Sequence, residues 1–229
     1  MGEKPFGFVP GAVGGSPTLL CVESYVLRVW LPDRPGALGA VASRIGAVKG
    51  DVVGIEILET GAGQAVDELV VNIPDATVID LLVNEVVQVD GVKVEEVRPS
   101  GSEEHDPRLA GLEAAAALVE AADRSDLLTA VDEFAPRSLA ASWVAVVDLT
   151  NGSLLRSSGA DAPSPEWLAA FVVGAESGGG AATDVAWVAL PGSRLGLVAG
   201  RERIAWRDRE RRHLDTLARI LDKRWQELS

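Results

Sequence analysis

The sequence is poor in the residues that build most reactive centres. One cysteine, Cys21, in 229 residues leaves no internal disulfide. Two histidines, His105 and His213, joined by that cysteine cannot make a Cys/His zinc site unaided. Positive charge is also short: 21 Lys and Arg stand against 34 Asp and Glu, a net −13. Such a chain repels nucleic-acid phosphates and anionic membranes overall. No run approaches the ~20 apolar residues of a membrane span. There is no GxxxxGK[ST] phosphate loop, Gly178-Gly179-Gly180 lacks its context, and Gly61-x-Gly63 lacks the third glycine of GxGxxG. What is present is core material, with 47% hydrophobic and 24% charged residues. That excludes wholesale disorder.

The bias toward Ala, Gly, Val and Arg, with 17 Arg against 4 Lys and the initiator as sole Met, suggests a GC-rich bacterial genome. The N-terminal apolar residues are broken by Gly14, Gly15, Ser16 and Pro17, a poor leader core, and Leu20 spoils a lipoprotein cleavage box at Cys21. The expectation is a cytoplasmic protein with residues 1–23 as a tail.

Charge is unevenly placed. Residues 201–229 carry a net +3, and the first 200 residues a net −16. Pattern changes near residue 100. The stretch from Pro99 to Pro107 is polar and carries Pro and Gly, a linker at 99–107. It divides a module at 24–98 from a second at 108–229.

In the first module, residues 24–31 alternate, with Tyr25, Leu27, Val29 and Leu31 on one face and Val26, Arg28 and Trp30 on the other. Pro32-Asp33-Arg34-Pro35-Gly36 is a turn. Leu38, Val41, Ile45 and Val48 make a helical stripe that Gly50 is expected to end. Val52–Glu59 and Gln64–Val71 are strands around the loop Thr60-Gly61-Ala62-Gly63. Val78, Leu81, Leu82 and Val86 form a second stripe, and Val92–Val97 a last strand. The order βαββαβ is the ferredoxin-like, split βαβ arrangement.

The segment from Tyr25 to Leu38 resembles the opening of an ACT domain, with its Asp-Arg-Pro-Gly-x-Leu turn at Asp33–Leu38. The resemblance covers residues 24–98 and implies a regulatory module that binds amino acids, commonly against a second copy of itself. Carried over position by position, it implicates Asp33, Pro35, Gly36, Ala37 and Leu38, with Ile55 contributed by the partner copy.

The chemistry of the turn is compatible. A helix N-terminus offers free N–H groups and a positive dipole end to a carboxylate, and Asp33 can accept from an ammonium. Gly36 lacks the Cβ that would hinder close approach. Equally, Asp33 can bond its own turn and Gly36 can serve helix entry alone. Trp30 and its neighbours on the second face of strand one need cover, either by a second copy or by the second module.

The second module reads as helices at Leu109–Ala122 and Ser125–Phe134, strands at Ser142–Leu149 and Ser153–Ser158, and a helix opened by Ser164-Pro165. Strands at Asp184–Leu190 and Arg194–Ala199 and a helix over Asp208–Glu227 follow. Helix, sheet and closing helix, with Leu214-Asp215-Thr216-Leu217-Ala218 near the end, resemble a GAF domain, shortened between Ser158 and Asp184. The fold class is therefore α+β, an ACT-like domain followed by a GAF-like sensor domain.

Catalytic constellations are weak. His105 sits among linker acids, His213 reads as a partly buried histidine without partners, and Cys21 as a small hydrophobe. Asp67 and Glu68 point to opposite faces of a strand and cannot share a site. Trp143 and Trp187 read as core. The Arg run 201–212, interleaved with Glu202, Asp208 and Glu210, reads as a solvated, salt-bridged face. The expectation is a non-catalytic regulatory protein, without cofactor or metal, that binds an amino acid as a homodimer. The rival is a dimerising scaffold without ligand, whose basic last helix docks a protein partner.

Overall fold

The computed structural model describes residues 23–100, 107–159, 161–176, 183–202 and 204–228. Cys21, His105, Gly178-Gly179-Gly180 and nearly all of the tail and linker lie outside them. The alternation in the first strand becomes β1 (Glu23–Pro32), which turns Tyr25, Leu27, Val29 and Leu31 into the core. Helix α1 (Ala37–Ala47) lays Ala37, Val41 and Ile45 over them. Its end differs from the expected glycine stop. Lys49, at φ 63, takes the left-handed turn one residue early. Gly50 is required for space, because a Cβ there would stand 2.8 Å from the Ile45 Cγ2 methyl.

Strands β2 (Asp51–Gly61) and β3 (Gln64–Ile73) meet in a two-residue hairpin, Ala62-Gly63, with both residues left-handed as a type I′ turn demands. The strands thus run longer, and the loop shorter, than the sequence pattern suggests. Helix α2 (Ile79–Val86) follows a capped turn in which Asp75 accepts from the Thr77 N–H at 2.7 Å. It buries Leu82 and Val86 but leaves Leu81 half exposed, so Leu81 drops out of the expected stripe. Strand β4 (Lys93–Pro99) completes a four-stranded antiparallel sheet of order β2-β3-β1-β4. Both helices pack on one face of it.

Beyond the linker come α3 (Pro107–Glu120), α4 (Arg124–Ser138), β5 (Trp143–Asp148), β6 (Leu154–Ser158), α5 (Pro165–Glu176), β7 (Val185–Leu190), β8 (Leu195–Gly200) and α6 (Asp208–Glu227). α4 continues past Phe134 and through Pro136. The second sheet has order β6-β5-β8-β7. Period-two alternation splits it between two cores. Val144 and Val146 of β5 face α3, α4 and α6. Trp143, Ala145 and Val147 face Leu168 and Val172 of α5. No helix among the described residues is long and apolar enough to cross a membrane.

Candidate functional site

The second face of the first sheet is covered by the second module, and the cover is polar. Arg28, on β1, is 1% exposed. Its Nε and Nη2 donate to Glu68 Oε1 at 3.0 and 2.7 Å, and Nη2 also reaches Glu210 Oε1 at 2.7 Å. Its Nη1 donates to the Ala205 carbonyl at 3.3 Å. Arg201 donates to the same Glu210 oxygen at 2.5 Å and to the Leu139 carbonyl at 3.0 Å, with its guanidinium 3.9 Å from the Trp206 ring. Glu210 uses its other oxygen to accept the Arg207 N–H at 2.7 Å, capping α6. Arg207 pairs with Glu95 and lies 4.6 Å over Trp30, and Arg209 pairs with Glu56 at 2.7 Å. Arg201 and Arg207 are therefore not part of a solvated face, whereas Arg209 is exposed and salt-bridged as the sequence suggests. Arg201 and Arg207 are buried, and all three hold the sheet against the start of α6. The sequence pattern misleads for Arg207, whose acid Glu95 lies 112 residues away on β4; the acid of Arg209, Glu56, comes from β2, and Arg201 pairs with Glu210 inside the run.

Burial and charge oppose each other in this layer. Desolvation works to raise the Glu68 carboxyl, but Arg28 and Arg98 overcome it and hold Glu68 below its ordinary value. Desolvation would lower Arg28, yet Glu210 and Glu68 keep it above its ordinary value. Arg201 is lowered by desolvation, with Arg28 adding like-charge repulsion. A cleft of ≈ 310 Å³ opens beside the layer, lined by Arg28, Arg98, Arg137, Arg201, Glu96 and Glu202 among others.

The turn from β1 to α1 is different. Asp33, Arg34, Pro35 and Gly36 are exposed, Ala37 is buried and Leu38 half-buried. The Asp33 N–H donates to the Gly63 carbonyl at 3.0 Å, tying the turn to the β2–β3 hairpin. Gly36 is the N-cap of α1 at φ 88, a backbone angle that favours glycine. A Cβ there would meet no atom of the chain, so the glycine answers the angle and the space above it is open. No side chain caps α1, and its first turn carries no acid. The Ala37 N–H donates to the Arg34 carbonyl at 3.2 Å, and the N–H groups that follow it at the helix start keep an affinity for an anion.

Beneath this turn lies Asp67, which sequence reasoning set aside. Within β3 it stands opposite Val29 and Ile57, on the face packed by the helices. It is 3% exposed, and its Oδ1 is buried without a hydrogen-bond partner. Burial pushes its carboxyl up, and the like charge of Asp33 pushes it further. The signal available in the sequence was an acid on the inward phase of a strand, between Ala65 and Leu69. Ile55, by contrast, is half exposed on the edge strand β2, with Val53 and Ile57 beside it.

His213 and the buried Ser138 approach to 3.1 Å between α6 and α4. Burial and Arg209 lower the imidazole. Among the described residues no carboxylate bonds its ring, so the pair lacks the third group of a hydrolytic triad. No cluster of three or more His, Cys, Asp or Glu suited to a metal ion occurs among the described residues.

The family model described as the ACT domain matches residues 25–91. No curated protein matches the chain. Several solved structures resemble it in part, three of which follow. An uncharacterised protein of Thermotoga maritima is 23% identical, over 34% of this chain and 96% of that one, at TM-score 0.28. The ACT domain of the GTP pyrophosphokinase of Chlorobium tepidum is 17% identical, over 36% and 91%, at TM-score 0.28. A protein of unknown function from Galdieria sulphuraria is 10% identical, over 88% and 92%, at TM-score 0.32.

Proposed function

We propose that the ACT domain at residues 25–91 makes this chain a non-catalytic regulatory protein that binds an amino acid at the β1–α1 turn. ACT domains are in general small-molecule regulatory modules. The observation that carries the reading is the uncapped start of α1 at Gly36, open to solvent and next to Asp33. Such a helix end suits a carboxylate, and the adjacent carboxylate suits an ammonium. Leu38 would supply a backbone N–H group, Pro35 and the buried Ala37 would hold the turn, and Ile55 would border the site from a second copy. The half-exposed apolar row Val53, Ile55 and Ile57 supports pairing of two copies along β2. The second module, a GAF-like sensor in this reading, sits on the opposite sheet face and receives any change through Arg28 and Glu210. Coupling of that kind needs two states that the ligand distinguishes.

Titration calorimetry with the twenty amino acids tests the ligand. Heat from at least one of them, with a rise in melting temperature at millimolar concentration, is expected, and silence in both measurements would sink the reading. The exposed β2 row also favours a second reading, a dimerising scaffold with no ligand. Sedimentation velocity of Ile55→Lys separates the two. In the scaffold reading the dimer is the sole function and its loss is the sole effect. In the regulatory reading Asp33→Ala weakens binding and leaves the dimer intact.

A further inference from the structure

Asp67 breaks a rule that the buried arginines Arg28, Arg201 and Arg207 keep, each of which has an ion-pair partner. Buried polar groups in folded proteins are nearly always paired, and a buried carboxylate most of all. Arg28, Glu68 and Glu210 obey this on one face of the sheet. On the other face Asp67 sits among Ala65, Leu69 and Val29, with no cation paired to it among the described residues and no partner for Oδ1. The charge that acts on it is Asp33, of the same sign. The register sets Asp67 opposite Val29, and the Asp33 N–H bonds the Gly63 carbonyl at 3.0 Å, so both acids belong to the end of the sheet where β1 passes into α1. Ala37 and Val41 of α1 belong to the same core cluster as Ala65 and Leu69, on the sheet face that carries Asp67. The barrier to solvent is thin, since Ile57, directly across the strand pair, is half exposed.

The arrangement is one of opposite signs a short way apart: two carboxylates, and the uncapped positive end of a helix. A zwitterion complements it. We infer that Asp67 is the ammonium acceptor of the ligand site proposed above, with Asp33 closing over the same group and the α1 N-terminus holding the carboxylate. This rests on the amino-acid reading and adds what that reading leaves open, namely how the site tells an α-amino acid from the matching 2-hydroxy acid. A hydroxyl brings no charge to offset a buried carboxylate, whereas an ammonium supplies both the charge and the missing donor.

The experiment uses the full chain. Calorimetry first finds the amino acid that binds best. That amino acid and its 2-hydroxy analogue are then titrated into wild type, Asp67→Asn and Asp33→Asn, with melting temperatures of each protein measured in parallel. Asp67→Asn is expected to melt no lower than wild type without ligand, and to bind the amino acid about 10- to 100-fold more weakly, the range for one charged hydrogen bond lost at a buried site. The 2-hydroxy acid is expected to bind wild type weakly and to lose little in Asp67→Asn. Asp33→Asn, at an exposed carboxylate, is expected to weaken the amino acid less. Undiminished amino-acid binding by Asp67→Asn, or equal affinity of wild type for both ligands, overturns the role of Asp67 and leaves the amino-acid site standing. Should Asp67→Asn misfold, the two wild-type titrations alone still decide between these outcomes. A wild type that binds no amino acid but gains stability from Mg²⁺ or Ca²⁺ alone overturns both.

Discussion

Asp67 and Glu68 are consecutive residues of one strand, both shielded from water, and they live in opposite electrostatic worlds. Glu68 touches Arg28 at 2.7 Å and Arg98 at 3.4 Å, and its carboxyl is held below the ordinary range. Among the described residues no cation pairs with Asp67, and its carboxyl is pushed up. The strand's period of two sends one to the module interface and the other under the β1–α1 turn. The pair shows how a buried acid can be structural or available. One is spent on holding two modules together, and the other keeps a buried oxygen, Oδ1, without a hydrogen-bond partner among the described residues.

The contrast can be broken hardest at the paired side. Glu210→Ala removes the carboxylate shared by Arg28 and Arg201, leaving the buried Arg201 without an ion-pair partner and Arg28 with Glu68 alone. A loss of about 3–5 kcal/mol is expected, the usual range for breaking a buried pair from one side, read by urea unfolding at neutral pH. A loss below about 1 kcal/mol would mean that water or other acids already satisfy both arginines.

The unpaired side should respond in the other direction. Without ligand at pH 7, Asp67→Asn is expected to gain about 1–2 kcal/mol, the scale of an unmet buried polar group. The sign with pH follows from linkage. A carboxyl raised in the folded state weakens the fold when ionised, so the penalty is full above its folded value. It fades as pH falls and is gone below the unfolded value of 3.8. The stability difference between Asp67→Asn and wild type should therefore shrink on acidification. Glu68 runs the opposite way. Its contribution is full above the unfolded value of 4.5 and is lost as pH falls through its lowered folded value. Melting curves of wild type, Asp67→Asn and Glu68→Gln across pH 3–7 would show the two trends crossing, and parallel trends would erase the contrast.

The smallest effect is at Gly36. An alanine there must hold φ near 88, which costs about 1 kcal/mol. Space is open, so Gly36→Ala should lower the melting point slightly without a change in oligomeric state. A large loss would mean that the turn is packed by something beyond the described residues.

Local pattern made much of this architecture readable. The alternation from Tyr25 to Leu31 and the stripe of α6 correspond to the observed elements, because each periodicity reports one buried face. The hairpin at Ala62-Gly63 and the turn at Lys49 escaped it. There the chain placed non-glycine residues in left-handed conformations, where glycine was the expected sign. The interface escaped as well. An arginine-rich stretch looks solvated until its acids arrive from the other module, and periodicity carries no information at that range. At the candidate site, the turn at Asp33–Leu38 was visible as a motif. Asp67 was not, since an acid on an inward phase looks like noise until its surroundings are known.

Glu210 has one more consequence, and it concerns the order of events as the chain emerges. Its two oxygens join the start of the last helix to Arg28, 182 residues earlier. The first module is made long before α6 leaves the ribosome, so Arg28 can wait on a finished sheet for a carboxylate that arrives last. The final helix would then close against a formed surface, and its first turn should be the part of the second module most easily cut by protease in any chain that lacks residues 24–98.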